Sequence, residues 1–168
     1  MKYLKYLRGY SLELLNKVEE LIANEQLGKT LLRRYPQPHS IRTDNALYDY
    51  VQALKCDFLS KASPLSRVSY CNKIQVMQHA LGQHHYINRV QGNNLKAKNE
   101  IKIAMVFRSA PEAFLKMIAV HELAHFREKE HNKAFYNFCC HMEPNYHQYE
   151  FDLRLYLTHL DLFGELYV

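Results

Sequence analysis

Apolar residues recur at helical spacing in two stretches of the first third of the chain. Leu14, Leu15, Val18, Leu21 and Ile22 follow Ser11, a good N-cap, and Gly28 stands where that run stops. Leu47, Val51, Leu54 and Phe58 follow Thr43-Asp44 and predict a second helix. Tyr35-Pro36-Gln37-Pro38 between them predicts an extended connection, because a residue before proline is pushed out of the helical region. The period then shortens. Arg67 to Tyr70 and Lys73 to Val76 alternate as short strands, and Tyr86 to Val90 and Glu100 to Phe107 read as two more, joined by the turn-forming Gly92-Asn93-Asn94.

Beyond residue 108 the helical period returns. Ser109-Ala110-Pro111-Glu112 has the form of a capping box with proline in the first turn, ahead of Phe114, Leu115, Met117, Ile118 and Val120. Asn132 can open a further helix, with Phe135, Phe138 and Met142 as its buried face. Pro144-Asn145 interrupts the chain, and Asn145 with Gln148 can cap a last helix bearing Leu153, Tyr156, Leu157 and Leu160. The expected class is α+β: N-terminal helices, a small and mainly antiparallel sheet, and C-terminal helices. With 168 residues, 48% of them apolar, a single domain is expected, its helical region over 1–62 and its core over 63–168.

Composition narrows the function classes. No apolar run approaches the roughly 20 residues that span a bilayer, so a membrane-spanning chain is not expected. The basic N-terminus lacks an apolar stretch and a small-residue cleavage site, so a secretory signal is not expected either. Cys56, Cys71, Cys139 and Cys140 form no C-x-x-C pair and read as reduced thiols of a cytoplasmic protein. The net charge of +5 is unevenly spread. Residues 1–110 hold 17 Lys/Arg against 8 Asp/Glu, and residues 111–168 hold 5 against 9. A modest charge with no zinc ribbon or aromatic RNA-binding signature gives no reason to expect a nucleic-acid partner.

The ten histidines are the compositional oddity, and one group of them carries chemistry: His121-Glu122-Leu123-Ala124-His125. Residues four apart lie on one helix face about 6 Å apart, so two imidazoles can grip one metal ion. Glu122 sits beside that face, where its carboxylate can take a proton from a metal-bound water whose pKa zinc lowers to roughly 7. H-E-x-x-H is short enough to arise by chance. Here it follows the apolar run Met117 to Val120, so its helix enters the core, where two unpaired histidines would be costly.

A catalytic zinc site has three protein ligands and an open position. His131 is the next histidine. On a continuous helix it would point about 120° away from His125 and lie about 9 Å further along, so it can ligate only if the helix ends and the chain turns back. Its spacing matches H-E-x-x-H-x-x-G-x-x-H, but Glu128 replaces the turn-making glycine. Glu143, Glu150, His141 and His147 are the other candidates. His39 and His159 read as solvated or satisfied polar residues, and His84-His85 as a loop that can line a cleft. Tyr146, just past Pro144, either aims its hydroxyl at the site or packs.

Val120-His-Glu-Leu-Ala-His125, Glu130-His131-Asn132 with Phe135, and Met142-Glu143-Pro144 with Tyr146 together resemble the YgjP-like metallopeptidase family. That family is related to SprT-type and other zincin-fold peptidases. The likeness extends over Tyr70 to Leu162, and the helical region through Asp57 resembles the shorter bacterial members. It implies a zincin-like core with the active-site helix under a small sheet, His121, His125 and His131 as zinc ligands, and Glu122 as general base. Many relatives carry an Arg-Trp-Gly-Ser-like segment where this chain has Arg89-Val-Gln-Gly92, and this chain has no tryptophan.

Two substrates suit such a site. A peptide bond is the main expectation, with zinc polarising the carbonyl and the strand around Ile101 to Val106 holding an extended peptide or protein substrate by β-augmentation. A phosphoanhydride is the alternative. Arg89, Lys96, Lys98, Lys102 and Arg108 cluster just before the zinc helix, opposed only by Glu100, and alternate strand positions share a face that can wall a nucleotide. The same row would equally keep a sheet edge soluble. The resemblance adds weight here, since close relatives have been associated with UTP pyrophosphatase activity. A DNA-linked role, as in SprT-type relatives, and a non-catalytic metal scaffold complete the set; Glu122 argues against the scaffold, which needs no base.

Overall fold

The computed structural model describes residues 4–72 and 99–167 in full and the backbone of 82–91 and 94–98. Within these residues lie the helices α1 (Leu12–Ala23), α2 (Leu27–Arg34), α3 (Asp44–Phe58), α4 (Glu112–Ala124), α5 (Lys133–Met142) and α6 (Tyr146–Phe163), and the strands β1 (Leu65–Cys71), β2 (Gly82–Gln91) and β3 (Asn94–Ala104). The class is α+β. The chain forms two compact units, residues 39–146 and residues 1–38 with 147–168. Among the described residues no helix is long and apolar enough to cross a membrane.

In the unit of residues 39–146, the sheet has the order β1-β3-β2. β2 and β3 form the expected antiparallel hairpin in unbroken register, from Gly82 opposite Ile103 to Gln91 opposite Asn94. β1 joins the other side of β3 in parallel, with Val68 opposite Ile101 and Tyr70 opposite Ile103. The sheet is therefore mixed. Alternation tells which residues share a face, but strand direction is settled only by how the chain returns. The proposed Lys73 to Val76 strand and the Gly92-Asn93 turn lie outside the described residues.

Two expectations about the strand before α4 change. β3 ends at Ala104, and Met105–Ser109 form a 3-10 turn. Phe107 is fully buried two places on from Met105, so burying it continues the alternation of Ile101 and Ile103 although the backbone has left the strand. More consequentially, β3 is an interior strand. With β1 and β2 on its two sides, the stretch from Ile101 has no free edge for a peptide. The outer edge of β1 is also engaged: Asp44 Oδ1 accepts from the Tyr70 N–H at 3.0 Å, and the Tyr48 hydroxyl donates to the Leu65 carbonyl at 3.1 Å.

Thr43 caps α3 by accepting from the Ala46 N–H. Ser109 caps nothing; α4 starts later, behind Pro111, and the Ser109 hydroxyl accepts from Arg42 because the serine belongs to the preceding 3-10 turn. His39 ties that turn in place. Its Nε2–H donates to the Phe107 carbonyl at 2.7 Å, its Nδ1 accepts from the Ile41 N–H at 2.9 Å, and its own N–H reaches the Ala110 carbonyl. Burial holds this imidazole below its ordinary pKa. The entry to α4 is thus held by a satisfied core histidine.

In the other unit, Ser11 caps α1 through the Leu14 N–H. Gly28 does not end that helix. The break falls at Asn24-Glu25, where Glu25 takes φ 55°, and Gly28 lies inside α2. A Cβ there would stand 2.7 Å from Nε2 of His159, so the imidazole would have to shift to admit it. Asp152, buried on α6, accepts from both Arg34 (2.8 and 2.9 Å), the Tyr35 hydroxyl (2.6 Å) and Gln148 (3.1 Å). Burial, and then the hydrogen bond to Asp152, raise the Tyr35 pKa. Asp152→Ala strands these donors around a cavity, and urea unfolding is expected to register a loss of about 2 kcal/mol.

Candidate metal centre

α4 is apolar on nearly every side. Phe114, Leu115, Met117, Ile118, Ala119, Val120, Glu122, Leu123 and Ala124 are all buried, the condition of a core helix rather than an amphipathic one. The helix stops at Ala124. The N–H groups of Phe126 and Arg127 turn back to the carbonyls of Leu123 and Ala124, and that of Glu128 also reaches Ala124. No left-handed residue is used; among the described residues Glu25 is the one non-glycine with positive φ. Glu128 in the glycine position is therefore compatible with the reversal. Asn132 then opens α5 by accepting from the Phe135 N–H at 2.9 Å, which sets His131 immediately before the new helix.

The reversal brings three imidazoles together. Nε2 of His131 lies 3.1 Å from Nε2 of His121 and 3.1 Å from Nε2 of His125. Nitrogens sharing one zinc at 2.0–2.1 Å in tetrahedral geometry stand about 3.3 Å apart. Nδ1–H of His125 donates to the Glu128 carbonyl at 3.0 Å. A carbonyl only accepts, so the neutral ring has a bare Nε2 aimed at the cluster. One proton on His131 cannot fill both 3.1 Å contacts, whereas a cation among three lone pairs satisfies all of them. The donor set fits a divalent ion of zinc type. Burial, then the neighbouring His125 and His131, lower the His121 pKa to about 3, which keeps the ring neutral as a ligand must be.

Glu122 is 2% exposed, and no group among the described residues hydrogen-bonds its carboxylate. Burial pushes its pKa up to about 8. A buried carboxyl without a partner is costly, and this one lies in the last turn of α4 beside His121. Phe135 is the residue whose role was missed. It is expected from the helical period as core, yet its fully buried ring stands 4.9, 4.7 and 4.8 Å from the rings of His121, His125 and His131 and forms the floor beneath them. Its place four residues after His131 is the signal that could have been read.

Three of the four competing ligands have neighbours of their own. Glu143 pairs with Lys116 at 2.7 Å, Glu150 lies 4.0 Å from Arg154, and His141 stacks on Phe138. The Tyr146 hydroxyl does not face open space; it lies 2.7 Å from Nδ1 of His121. Lys102 alternates with buried Ile101 and Ile103, and so occupies the sheet face opposite the core. Arg108 precedes α4 and donates to the Arg42 carbonyl at 2.8 Å. Arg89 lies opposite Lys96 in the ladder. The side chains of Arg89, Lys96, Lys98, His84 and His85 lie outside the described residues.

His131→Ala is expected to abolish stoichiometric metal retention through gel filtration, while Glu150→Ala retains it; equal retention would remove His131 from the site. A second expectation concerns the metal-free protein. With its pKa raised from 4.5 to about 8, Glu122 binds its proton more tightly folded than unfolded, so it withdraws stability as pH climbs from 4.5 towards 8. Denaturation curves over that window should fall more steeply for the wild type than for Glu122→Gln, and parallel curves would contradict the burial argument.

The pattern of the family described as YgjP-like, metallopeptidase domain, matches residues 87–156. A protein of Escherichia coli (strain K12) named UTP pyrophosphatase is 58% identical over 162 residues, covering 96% of this chain and 97% of its own. No solved structure matches. The matched segment contains the three histidines, Glu122, Phe135 and Tyr146. The chain belongs to the YgjP-like metallopeptidase family and is a hydrolase.

Proposed function

We propose that the chain is a zinc-dependent hydrolase that splits UTP and releases pyrophosphate. The observation that carries this reading is the 58% identity to the UTP pyrophosphatase over 96% of the chain. Likeness of that extent, over nearly the full length of both chains, supports carrying the substrate class across. The converging imidazoles and the buried Glu122, without a hydrogen-bond partner among the described residues, support the hydrolytic half of the proposal.

In this reading His121, His125 and His131 hold the ion through Nε2. The bound ion supplies positive charge that polarises a phosphoryl oxygen and eases loss of a proton from water. Glu122 takes that proton from the water attacking the α-phosphorus and returns it to the departing pyrophosphate oxygen. Burial suits it to the exchange, since a carboxyl with a raised pKa can hold a proton near neutral pH. Phe135 keeps water from the underside of the imidazoles. Arg89, Lys96 and Lys98, towards the hairpin end of β2 and β3, are the proposed partners of the triphosphate; Lys102 and Arg108 stand further along the chain with weaker claims. Residues 1–168 act as one functional domain in this proposal, and a cytoplasmic location supplies the nucleotide.

A peptidase is the second reading, favoured by the family pattern over residues 87–156. β3 is interior, so a peptide or protein substrate would instead add to β2, the sheet's other outer strand, against which α4 packs.

Zinc-loaded protein would be given UTP, other nucleoside triphosphates and casein in parallel. Pyrophosphate release from UTP is expected, reduced at least about 100-fold in Glu122→Gln, with KM raised and kcat kept in Lys98→Ala. Cleavage of casein without nucleotide turnover would replace this reading with the peptidase. Turnover of neither would end both.

A further inference from the structure

We propose that Tyr146 is a positioning residue of the metal centre, not a substrate contact: its hydroxyl accepts the Nδ1–H of His121 and so turns the Nε2 lone pair of that ligand towards the ion. The inference rests on the metal reading of the three histidines. The Tyr146 residue is fully buried, and its hydroxyl lies 2.7 Å from Nδ1 of His121, with the two rings 16° from parallel. That places the hydroxyl behind the imidazole, on the side away from the cluster of Nε2 atoms.

The two helical ligands are anchored by different chemistry. His125 donates to the Glu128 backbone carbonyl, which can only accept, so the tautomer of that ring is decided by the main chain. The partner of His121 is a hydroxyl, which can donate or accept. If it donates, the proton of His121 sits on Nε2 and closes that position to a metal. If it accepts, Nε2 is bare. Three Nε2 atoms at 3.1 Å contacts leave room for a shared cation only in the second arrangement. A hydrogen bond from the far ring nitrogen also fixes the ring's rotation and raises its basicity as a ligand.

Tyr146 is itself held against the helix that bears His121. Its N–H donates to the Glu143 carbonyl at 3.0 Å, and the Glu143 carboxylate pairs with Lys116 on α4 at 2.7 Å. Lys116, Glu143, Tyr146 and His121 thus close a circuit from α4 through the α5–α6 joint and back to α4. A residue that merely packed would need neither the 2.7 Å hydroxyl contact nor this bracing.

The test compares the full chain with Tyr146→Phe, which keeps the ring and removes the oxygen. Both are stripped with a chelator and titrated with zinc against a chromophoric competitor, and the melting of each metal-free protein is recorded. Zinc affinity is expected to fall about 10- to 100-fold in the variant, with metal-free Tm shifted by no more than about 4 °C. Unchanged affinity beside tight zinc binding by the wild type would overturn the inference alone. Absence of zinc binding by the wild type would overturn the metal reading with it. Nitrogen-15 NMR of the metal-free wild type supplies a measurement independent of the variant's folding: a His121 ring protonated at Nδ1 supports the assignment, and one protonated at Nε2 contradicts it.

Discussion

α4 is buried along most of its length, and its last turn carries the polar groups to an end where His121 and His125 are half-buried and His131 is exposed. His121 and Glu122 sit in that turn, and His125 ends it. His121 finds Tyr146 behind it and two more imidazoles in front. His125 finds the main chain. Glu122 finds nothing among the described residues. The site is what remains when a core helix runs out of apolar residues before it runs out of surroundings.

The reversal after Ala124 is the second constraint. Three consecutive N–H groups fold back on Leu123 and Ala124, so the third imidazole arrives over the helix end and not about 9 Å beyond it. Asn132 and Phe135 make this stable: one caps α5, and the other puts its ring under all three histidines. An aromatic floor excludes water from one side of the cluster, which strengthens every charge interaction above it. Preorganisation here is a matter of packing and capping.

The sheet bears on the substrate by what it excludes. β3 is paired on both sides, so a peptide finds no free edge there, and α3 bonds to the β1 backbone through Asp44 and Tyr48. Lys102, set between buried Ile101 and Ile103, faces away from the core.

Periodicity and spacing determined a good deal unaided: the Ser11, Thr43 and Asn132 caps, the presence of β1 and the antiparallel pairing of β2 with β3, the buried run of α4, and the pairing of His121 with His125. These are local, since a helix or strand repeats its geometry every few residues and writes that period into the chain. Tertiary structure alone decided the rest. The close packing against Gly28 inside α2 comes from His159, more than a hundred residues away. The parallel pairing of β1 depends on the path of the chain between strands, and the extended appearance of Phe107 on a buried side chain whose backbone had already turned. That the Tyr146 hydroxyl meets His121, 25 residues earlier, is equally beyond local pattern. Spacing could count the residues between His125 and His131, but only the end of α4 could decide that they meet.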